Sequence, residues 1–273
     1  MAEADTIHPD HLPLTVDVLA EQFATCGLAA GQTVLVHTRM SALGWVAGGP
    51  VAIIQALLRV LTPSGTLMMP AFSGDTTDPA NWRNPPVPEH WWPIIREHMP
   101  AYDPQTTPTR GVGQVAELFR TWPGVLRSAH PEASFAAIGP NAAYLLENHT
   151  SLEPLFADDS PVGKLYALDG YVFLLGPTHH NDTSLHLAEY RANIPKRYFR
   201  ESVAMFVAGV RQRISYDLRD LNDADFEALG DDYEAAHGIP RGRVGQAEVR
   251  FMKQRPLVDY AVTWLEQHRG TAD

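Results

Sequence analysis

The segment between residues 33 and 69 constrains the fold most strongly, because it predicts a strand, a helix and a second strand in immediate succession. The apolar runs Thr33–His37 and Thr66–Met69 are typical of buried strands. Between them, Pro50 suits the first position of a helix over residues 51–61, since an N–H at that position would have no partner. Two strands joined by a helix are expected to lie parallel in one sheet, so the sequence predicts an α/β fold.

A second strand–loop–helix pattern lies near residue 180 and carries the candidate catalytic groups. The strand is the apolar run Tyr171–Leu175, and the following helix places His186 and Glu189 on one face because they are three residues apart. His186 is a candidate proton acceptor, and Glu189 can orient its ring or hold a cation. A structural interpretation stays open, in which Asp182 or Thr183 caps the helix and His186 is a half-buried core residue.

Further helix and strand patterns surround these two units. Residues 1–13 form a loose lead-in, and after residue 200 the pattern changes to a smaller α+β part, with a hairpin and an acidic helix within 200–255. The other predicted elements are helices over residues 15–26, 114–120, 141–148, 161–167, 223–236 and from 256 onward, strands over 134–138 and 244–251, and a hairpin that pairs 203–207 with 212–216.

Residues 71–110 match neither a helix nor a strand pattern. They are rich in proline and tryptophan, and they include Trp82, Trp91 and Trp92. A long irregular segment is either disordered or a functional loop, and tryptophan side chains bury large areas when they are ordered. The sequence therefore predicts an ordered, irregular substrate loop that forms a lid or wall over a site.

Composition and charge exclude several classes of partner. The formal net charge is −11, which argues against general nucleic-acid binding, because such binding needs clustered Lys and Arg. The same charge suits a cationic small molecule, although it can also serve solubility alone. No apolar run approaches the ~20 residues of a membrane span, and Met1–His8 lacks the features of a secretory signal. The sequence has one cysteine, Cys26, on a predicted apolar helix face, so it has no pair of cysteines for an intrachain disulfide. The missing signal and the single cysteine together predict a cytoplasmic protein.

Common cofactor and hydrolase motifs are missing from the sequence. It contains no G-x-G-x-x-G, no G-x-x-x-x-G-K-[ST], no G-x-S-x-G and no H-E-x-x-H. Dinucleotide, nucleoside triphosphate and nucleophile-elbow chemistry therefore have no support. His179, His180 and His186 with Glu189 offer zinc-binding side chains, but adjacent loop histidines are usually solvated, so we expect no metal.

Eight short segments, taken together and in order, resemble the aminoglycoside 3-N-acetyltransferase family. R-S-x-H-P and L-H-L-A-E are the most specific of these motifs, and the resemblance runs from about residue 15 to the C-terminus. The segments are Val36–Gly44, Gly65–Pro70, Thr107–Arg110, Arg127–Pro131, Ser134–Gly139, Ser160–Pro161, Leu174–Gly176 and Thr183–Glu189. The resemblance implies one domain over 1–273, an α/β sandwich with a mixed central sheet that is specific to this family. It also implies acetyl transfer from acetyl-CoA to the 3-amino group of a 2-deoxystreptamine aminoglycoside, which confers antibiotic resistance.

The resemblance also implies roles for individual positions. His186 matches the general base, and Glu189 matches its acidic neighbour, which orients the base or binds a substrate ammonium group. Asp75 and Asp182 are expected to face the cationic substrate. The absence of an activated serine favours direct transfer without an acyl-enzyme. The positions that match CoA-binding loops are Thr38, Arg39, Met40, Ser41, Leu43, Gly44, Thr107, Thr109, Arg110, Gly111 and Val112.

Two departures from the family pattern leave alternatives open. Thr38 and Arg39 stand where the family often has serine, and Asp182 stands where it often has asparagine. The same fold could acetylate another amine, such as an intermediate of antibiotic biosynthesis. A drug-sequestering protein without turnover and a metal-dependent hydrolase are further alternatives, and the sequence fits either a monomer or a homodimer.

Overall fold

A computed structural model of the chain describes residues 6–7 and 9–270, and its strands form one large sheet and one separate hairpin. The strands are β1 (Thr33–Thr38), β2 (Thr66–Pro70), β3 (Leu126–Arg127), β4 (Phe135–Ile138), β5 (Tyr171–Leu175), β6 (Tyr198–Val207), β7 (Val210–Arg219), β8 (Arg241–Val244) and β9 (Ala247–Lys253). Over these described residues the large sheet has seven strands in the order β3-β4-β2-β1-β5-β9-β8. β1 is parallel to both β2 and β5, whereas the outer pairs are antiparallel. The predicted strand–helix–strand unit and mixed sheet are confirmed.

Helices cover both faces of this sheet. They are α1 (Val16–Thr25), α2 (Gly49–Leu61), α3 (Trp92–His98), α4 (Gly113–Arg120), α5 (Ala142–Leu146), α6 (Pro161–Ala167), α7 (Ser184–Arg191), α8 (Phe226–His237) and α9 (Gln254–Arg269). Thr15 and Ser160 cap α1 and α6, because their side chains accept the N–H of Val18 and Gly163. Among the helices of the described ranges, none combines the length and apolarity that a membrane crossing needs. The segment Met1–His8, for which the sequence predicts no secretory signal, lies outside the described residues except for Thr6 and Ile7.

The sheet separates two hydrophobic cores, because successive strand residues point to opposite faces. On β1, Val34 and Val36 join the core beneath α1, α2 and α4, whereas Leu35 joins the core beneath α5 to α9. On β2, Leu67 and Met68 divide in the same way. Helices on both faces of a mixed sheet make an α/β sandwich, as the sequence predicts.

The C-terminal strands differ from the sequence prediction. A single strand over 244–251 is wrong, because Gly245 and Gln246 form a turn that divides the stretch into β8 and β9. Gly245 has a φ of +54°, and an added Cβ there would lie 2.3 Å from the carbonyl oxygen of Leu43. That turn therefore requires glycine. Since β9 pairs with β5, the two C-terminal strands extend the central sheet, and the hairpin β6–β7 stands apart from it.

Residues 71–110 are ordered and pack against the confirmed hairpin. Their classification as wholly irregular is wrong at α3, which Pro93 helps to start. Asp78 fixes the segment in place, because its carboxylate accepts hydrogen bonds from Arg96 at 2.7 Å and from the Ser202 hydroxyl of β6 at 2.6 Å. The middle of the segment thus covers the hairpin, and its two ends lie at the edge of the large sheet where β1 and β5 end.

Candidate active site

A cleft of about 760 Å³ opens at the edge of the sheet where β1 and β5 end. These two strands are parallel neighbours, with Thr38 opposite Leu175, so both lead into loops at the same edge. Ligands of α/β proteins commonly bind outside the carboxyl ends of such strands. The walls come from the ends of segment 71–110, the loop after β1, the start of α4 and the start of α7. They include His37, Thr38, Arg39, Phe72, Arg110, Gly113, Asn181 and His186.

His186 lies on α7 in the wall of this cleft, and its ring is tightly held. Its Nδ1 is 2.5 Å from Oε2 of Glu189, and since a carboxylate only accepts, Nδ1 carries the proton. Phe156 stacks on the ring at a centroid distance of 5.3 Å, and Phe226 packs against it at 4.9 Å. The side chain is 19% exposed, and its Nε2 has no hydrogen-bonding partner within the described chain. The neutral ring therefore keeps an unprotonated nitrogen available to the cleft.

Glu189 is buried behind His186, and both of its carboxylate oxygens are occupied. Oε2 accepts the His186 hydrogen bond, while Oε1 accepts the N–H of Asn222 at 3.1 Å and a guanidinium N–H of Arg269. Burial alone would raise the pKa of Glu189, but His186 and then Arg269 bring that pKa below its ordinary value. The carboxylate is therefore ionised at neutral pH, although only 2% of the side chain is exposed.

Asp182 is not placed where it could contact a substrate. Its side chain is fully buried, Oδ1 accepts the N–H of Ser184 at 2.9 Å, and Oδ2 lies 3.7 Å from Nδ1 of His179. Burial would raise the pKa of Asp182, but the hydrogen bond and the charge of His179 bring it below its ordinary value. The expectation that Asp182 faces the substrate is therefore corrected: this carboxylate supports the start of α7, as the structural alternative predicts. Thr183 occupies the N-cap position, but its side chain makes no capping hydrogen bond.

A buried charge cluster around His179 lies beneath the cleft. Nε2 of His179 is 2.8 Å from Oε1 of Glu234, which also accepts from Arg250 at 2.8 Å. Burial alone would lower the pKa of His179, but Asp182 and Glu234 raise it to about 9. His37 at the end of β1 behaves oppositely, because burial lowers its pKa to about 4 and keeps the ring neutral.

The histidines of the zinc alternative do not converge. His179 faces Glu234, His186 faces Glu189, and the Nδ1 of His180 lies 3.3 Å from the backbone carbonyl of Asp223. Over residues 6–7 and 9–270, no three or more His, Cys, Asp or Glu side chains are arranged to hold a metal ion.

The two loops expected to hold CoA meet at the cleft, but three of the matched residues do not line it. Leu43 is 1% exposed and belongs to the core. Thr109 donates from both its N–H and its hydroxyl to Glu117, and the Thr107 hydroxyl accepts the N–H of Asp103. The matched residues that do line the cleft are Thr38, Arg39, Met40, Ser41, Gly44, Arg110, Gly111 and Val112.

Two arginines give this side of the cleft positive charge. Arg39 is exposed, and its side chain makes no hydrogen bond or ion pair with the described residues. Arg110 forms an ion pair with Asp75 at 2.7 Å and donates to the carbonyl of Asn84. Asp75 thus sits next to the cleft without lining it, and its charge is partly neutralised.

Sequence reasoning missed the residues that hold His186 from a distance. Phe156, Phe226 and Arg269 lie 30, 40 and 83 positions from it, so no local spacing connects them. Arg269 lies in the last turn of a helix, where a cation is common because it interacts favourably with the helix dipole. Its sequence position therefore gives no indication of the contact with Glu189.

The fold and this cleft define a class of enzyme: α/β proteins that place a carboxylate-bound imidazole at the carboxyl edge of parallel strands. Residues 35–266 match the model of the family described as aminoglycoside 3-N-acetyltransferase, and the chain belongs to that family. Among its relatives, the SPbeta prophage-derived aminoglycoside N(3')-acetyltransferase-like protein YokD of Bacillus subtilis is 44% identical over 93% of each chain. Aminoglycoside N(3)-acetyltransferase III of Pseudomonas aeruginosa is 38% identical over 95% of this chain and 96% of its own length.

Solved structures agree with this assignment. The crystal structure of YokD superposes with a TM-score of 0.94 at 40% identity and covers 99% of this chain and 100% of that chain. The binary complex of AAC-IIIb with CoASH superposes with a TM-score of 0.82 at 32% identity, over 96% of this chain and 100% of that chain. The protein is therefore an acetyltransferase of the aminoglycoside 3-N-acetyltransferase family.

Proposed function

We propose that this enzyme transfers an acetyl group from acetyl-CoA to the 3-amino group of a 2-deoxystreptamine aminoglycoside, with His186 as the general base. One observation carries the proposal: His186 lines the cleft, its Nε2 has no hydrogen-bonding partner among the described residues, and Glu189 accepts its Nδ1 proton. A base of this kind suits an aminoglycoside, because the ammonium form of an amine is not a nucleophile and must lose a proton before it can attack.

The reaction begins with a proton transfer, and acyl transfer follows. Nε2 of His186 accepts a proton from the 3-ammonium group, and the freed amine attacks the carbonyl carbon of the acetyl thioester. As the tetrahedral intermediate collapses, the carbon–sulfur bond breaks and the attacking nitrogen gives up its second surplus proton, so that a neutral amide forms. The CoA thiolate takes up one proton, and the imidazolium of His186 releases the other to solvent, which restores the neutral ring. Glu189 acts in this scheme as the group that fixes the Nδ1–H tautomer and stabilises the imidazolium, because both its oxygens are engaged inside the protein.

Acetyl-CoA is placed along the side of the cleft that Arg39, Arg110 and the start of α4 form. Two arginines and free backbone N–H groups at a helix start suit the phosphates of a CoA molecule. The complex of AAC-IIIb with CoASH, a relative with the same fold, supports this choice of cosubstrate. The aminoglycoside would then approach from the opposite wall, where Asp223 lines the cleft near His180. The net charge of −11 favours the encounter with a polycation.

The test is drug-dependent release of the CoA thiol, followed with a thiol-reactive dye. Wild type, His186→Ala and the control His98→Ala are compared with gentamicin, apramycin and no drug. We expect release that depends on drug for wild type and the control, because His98 is exposed on α3. The general-base contribution predicts a loss of about 10²–10⁴-fold for His186→Ala. Wild-type enzyme without drug-dependent release would overturn the proposal.

Acetylation of a different amine is the second candidate, because the YokD relative is named only as acetyltransferase-like. A panel of amines that includes monoamines and biosynthetic precursors separates the two, since the second candidate predicts turnover with a panel member and none with aminoglycosides. A sequestering protein would protect cells equally with His186→Ala, whereas an enzyme would not.

A further inference from the structure

We propose that Arg269, at the end of the last helix, is a positioning residue for the His186–Glu189 pair. This inference rests on the proposed function and adds a third group to the proposed base. The guanidinium of Arg269 donates to Oε1 of Glu189, the oxygen that does not bind His186. The Glu189 carboxylate therefore bridges the two side chains, because one of its oxygens binds the imidazole and the other binds the guanidinium.

Arg269 is itself fixed by a second set of contacts. Asp225, immediately before α8, accepts from its Nε at 2.8 Å and from Nη2, and the carbonyl of Asn222 accepts from Nη2 at 2.5 Å. The guanidinium carbon lies 5.8 Å from the centre of the Phe226 ring, which packs on His186. Because the side chain is only 14% exposed, the arginine is held in a single place.

The contact with Arg269 compensates for the burial of the Glu189 carboxylate. Glu189 is 2% exposed, and an isolated buried carboxylate is costly unless a cation and hydrogen bonds compensate for its lost hydration. While His186 is neutral, before it accepts the substrate proton, Arg269 is the cation in contact with Glu189. Arg269 thus keeps Glu189 ionised in the resting enzyme, so that the Nδ1–H tautomer is ready at the start of each cycle.

The charged and titratable groups that face the pair come from several elements. They are Arg269 on α9, Asp225 beside it, and the neutral ring of His37 on β1, whose pKa is lowered mainly by burial and further by the nearby His186. Removal of the Arg269 charge favours the protonated form of the His186–Glu189 pair. The acid limb of the kcat/KM profile should therefore move to higher pH.

The test compares Arg269→Gln, Arg269→Lys and Arg255→Gln with wild type. Arg255 is the matched control, because it lies in the first turn of the same helix and its side chain donates to backbone carbonyls of α6. For Arg269→Gln we expect kcat at neutral pH to fall about tenfold with both KM values unchanged, and the acid limb to move up by about one pH unit. Arg269→Lys should restore the acid limb, whereas Arg255→Gln should match wild type throughout.

A second variant keeps the test valid if Arg269→Gln does not fold. Asp225→Asn removes a negative charge next to Arg269, so the acid limb should move to lower pH, opposite to the shift for Arg269→Gln. A merely structural arginine would change the melting temperature and leave the limb in place for both variants. Wild-type turnover with unmoved profiles in both variants overturns this inference and leaves the proposed function standing, whereas an inactive wild type overturns the proposed function itself.

Discussion

Two histidine–glutamate pairs lie close together in this protein, and they are built for opposite purposes. His186 lines the cleft and Glu189 is buried behind it; one ring nitrogen binds Glu189, and the other has no partner among the described residues. His179 and Glu234 lie beneath it, where the His179 side chain is fully buried and both ring nitrogens face carboxylates. The residue types are the same, and the histidines are seven positions apart. The environment of the second nitrogen therefore decides whether a ring can exchange a proton with a ligand.

Packing reinforces this difference. α8 passes so close to His179 that an added Cβ at Gly230 would lie 2.0 Å from the ring, so no ligand can approach from that side. His186 is bordered by the rings of Phe156 and Phe226, which fix its plane and leave its edge open. His179 is thus held as a buried cation, whereas His186 is held in the orientation that the proposed general base requires.

The largest expected effect comes from exchanging each carboxylate for its amide. In Glu189→Gln, the amide can donate to Nδ1 and stabilise the tautomer with its proton on Nε2, which cannot accept the substrate proton. We expect kcat to fall by about 10²–10⁴-fold. Glu234→Gln should leave the kcat of the folded enzyme unchanged, because its partner does not reach the cleft. Steady-state kinetics on both variants measure this, and equal losses of kcat would remove the distinction between the pairs.

The second expected effect concerns stability, and here the His179–Glu234 pair is the more sensitive of the two. His179→Gln leaves Glu234 and Asp182 without their shared cation, and breaking a buried ion pair costs about 3 kcal/mol. The control is His180→Gln, since that neighbouring side chain is 53% exposed. Urea unfolding at neutral pH gives the free energy of unfolding for each variant. A His179 variant as stable as the control would mean that the buried cluster is not a structural cation site.

The third effect is the pH dependence of that same contribution. The pKa of folded His179 is raised from 6.5 to about 9. The stabilisation is therefore complete below 6.5 and is lost as the pH rises through 9. The difference in unfolding free energy between wild type and His179→Gln should shrink by about 2 kcal/mol between neutral pH and pH ~9.5. A difference that stays constant over this window would contradict a charged His179.

Local patterns predicted the central strands and the proposed base with its neighbour Glu189, but not the residues from distant parts of the sequence that fix them in place. Local patterns suffice for features that extend over a few residues, namely the apolar runs of β1 and β2 and the three-residue spacing of His186 and Glu189. Arg269 reaches Glu189 across 80 positions, and Glu234 reaches His179 across 55, so only the fold brings them together.

The errors have the same cause. Apolar and polar residues alternate across most of 244–251, although the chain turns at Gly245 and Gln246. The alternation alone therefore does not reveal that two strands meet there. The sequence suggested that Asp182 faces the substrate, although its side chain is fully buried beside His179. Burial of a charged group depends on partners that a local pattern does not contain.

The smallest expected effect tests that burial directly. Asp182→Asn keeps an oxygen for the N–H of Ser184 and removes the charge near His179, so we expect a stability loss of about 1 kcal/mol. Because the side chain is fully buried, the KM for aminoglycoside should stay at the wild-type value. Had this carboxylate bound a substrate ammonium group, KM would rise while stability stayed constant. The unfolding free energy and the KM together show whether the Asp182 charge stabilises the buried His179 cluster or binds the substrate.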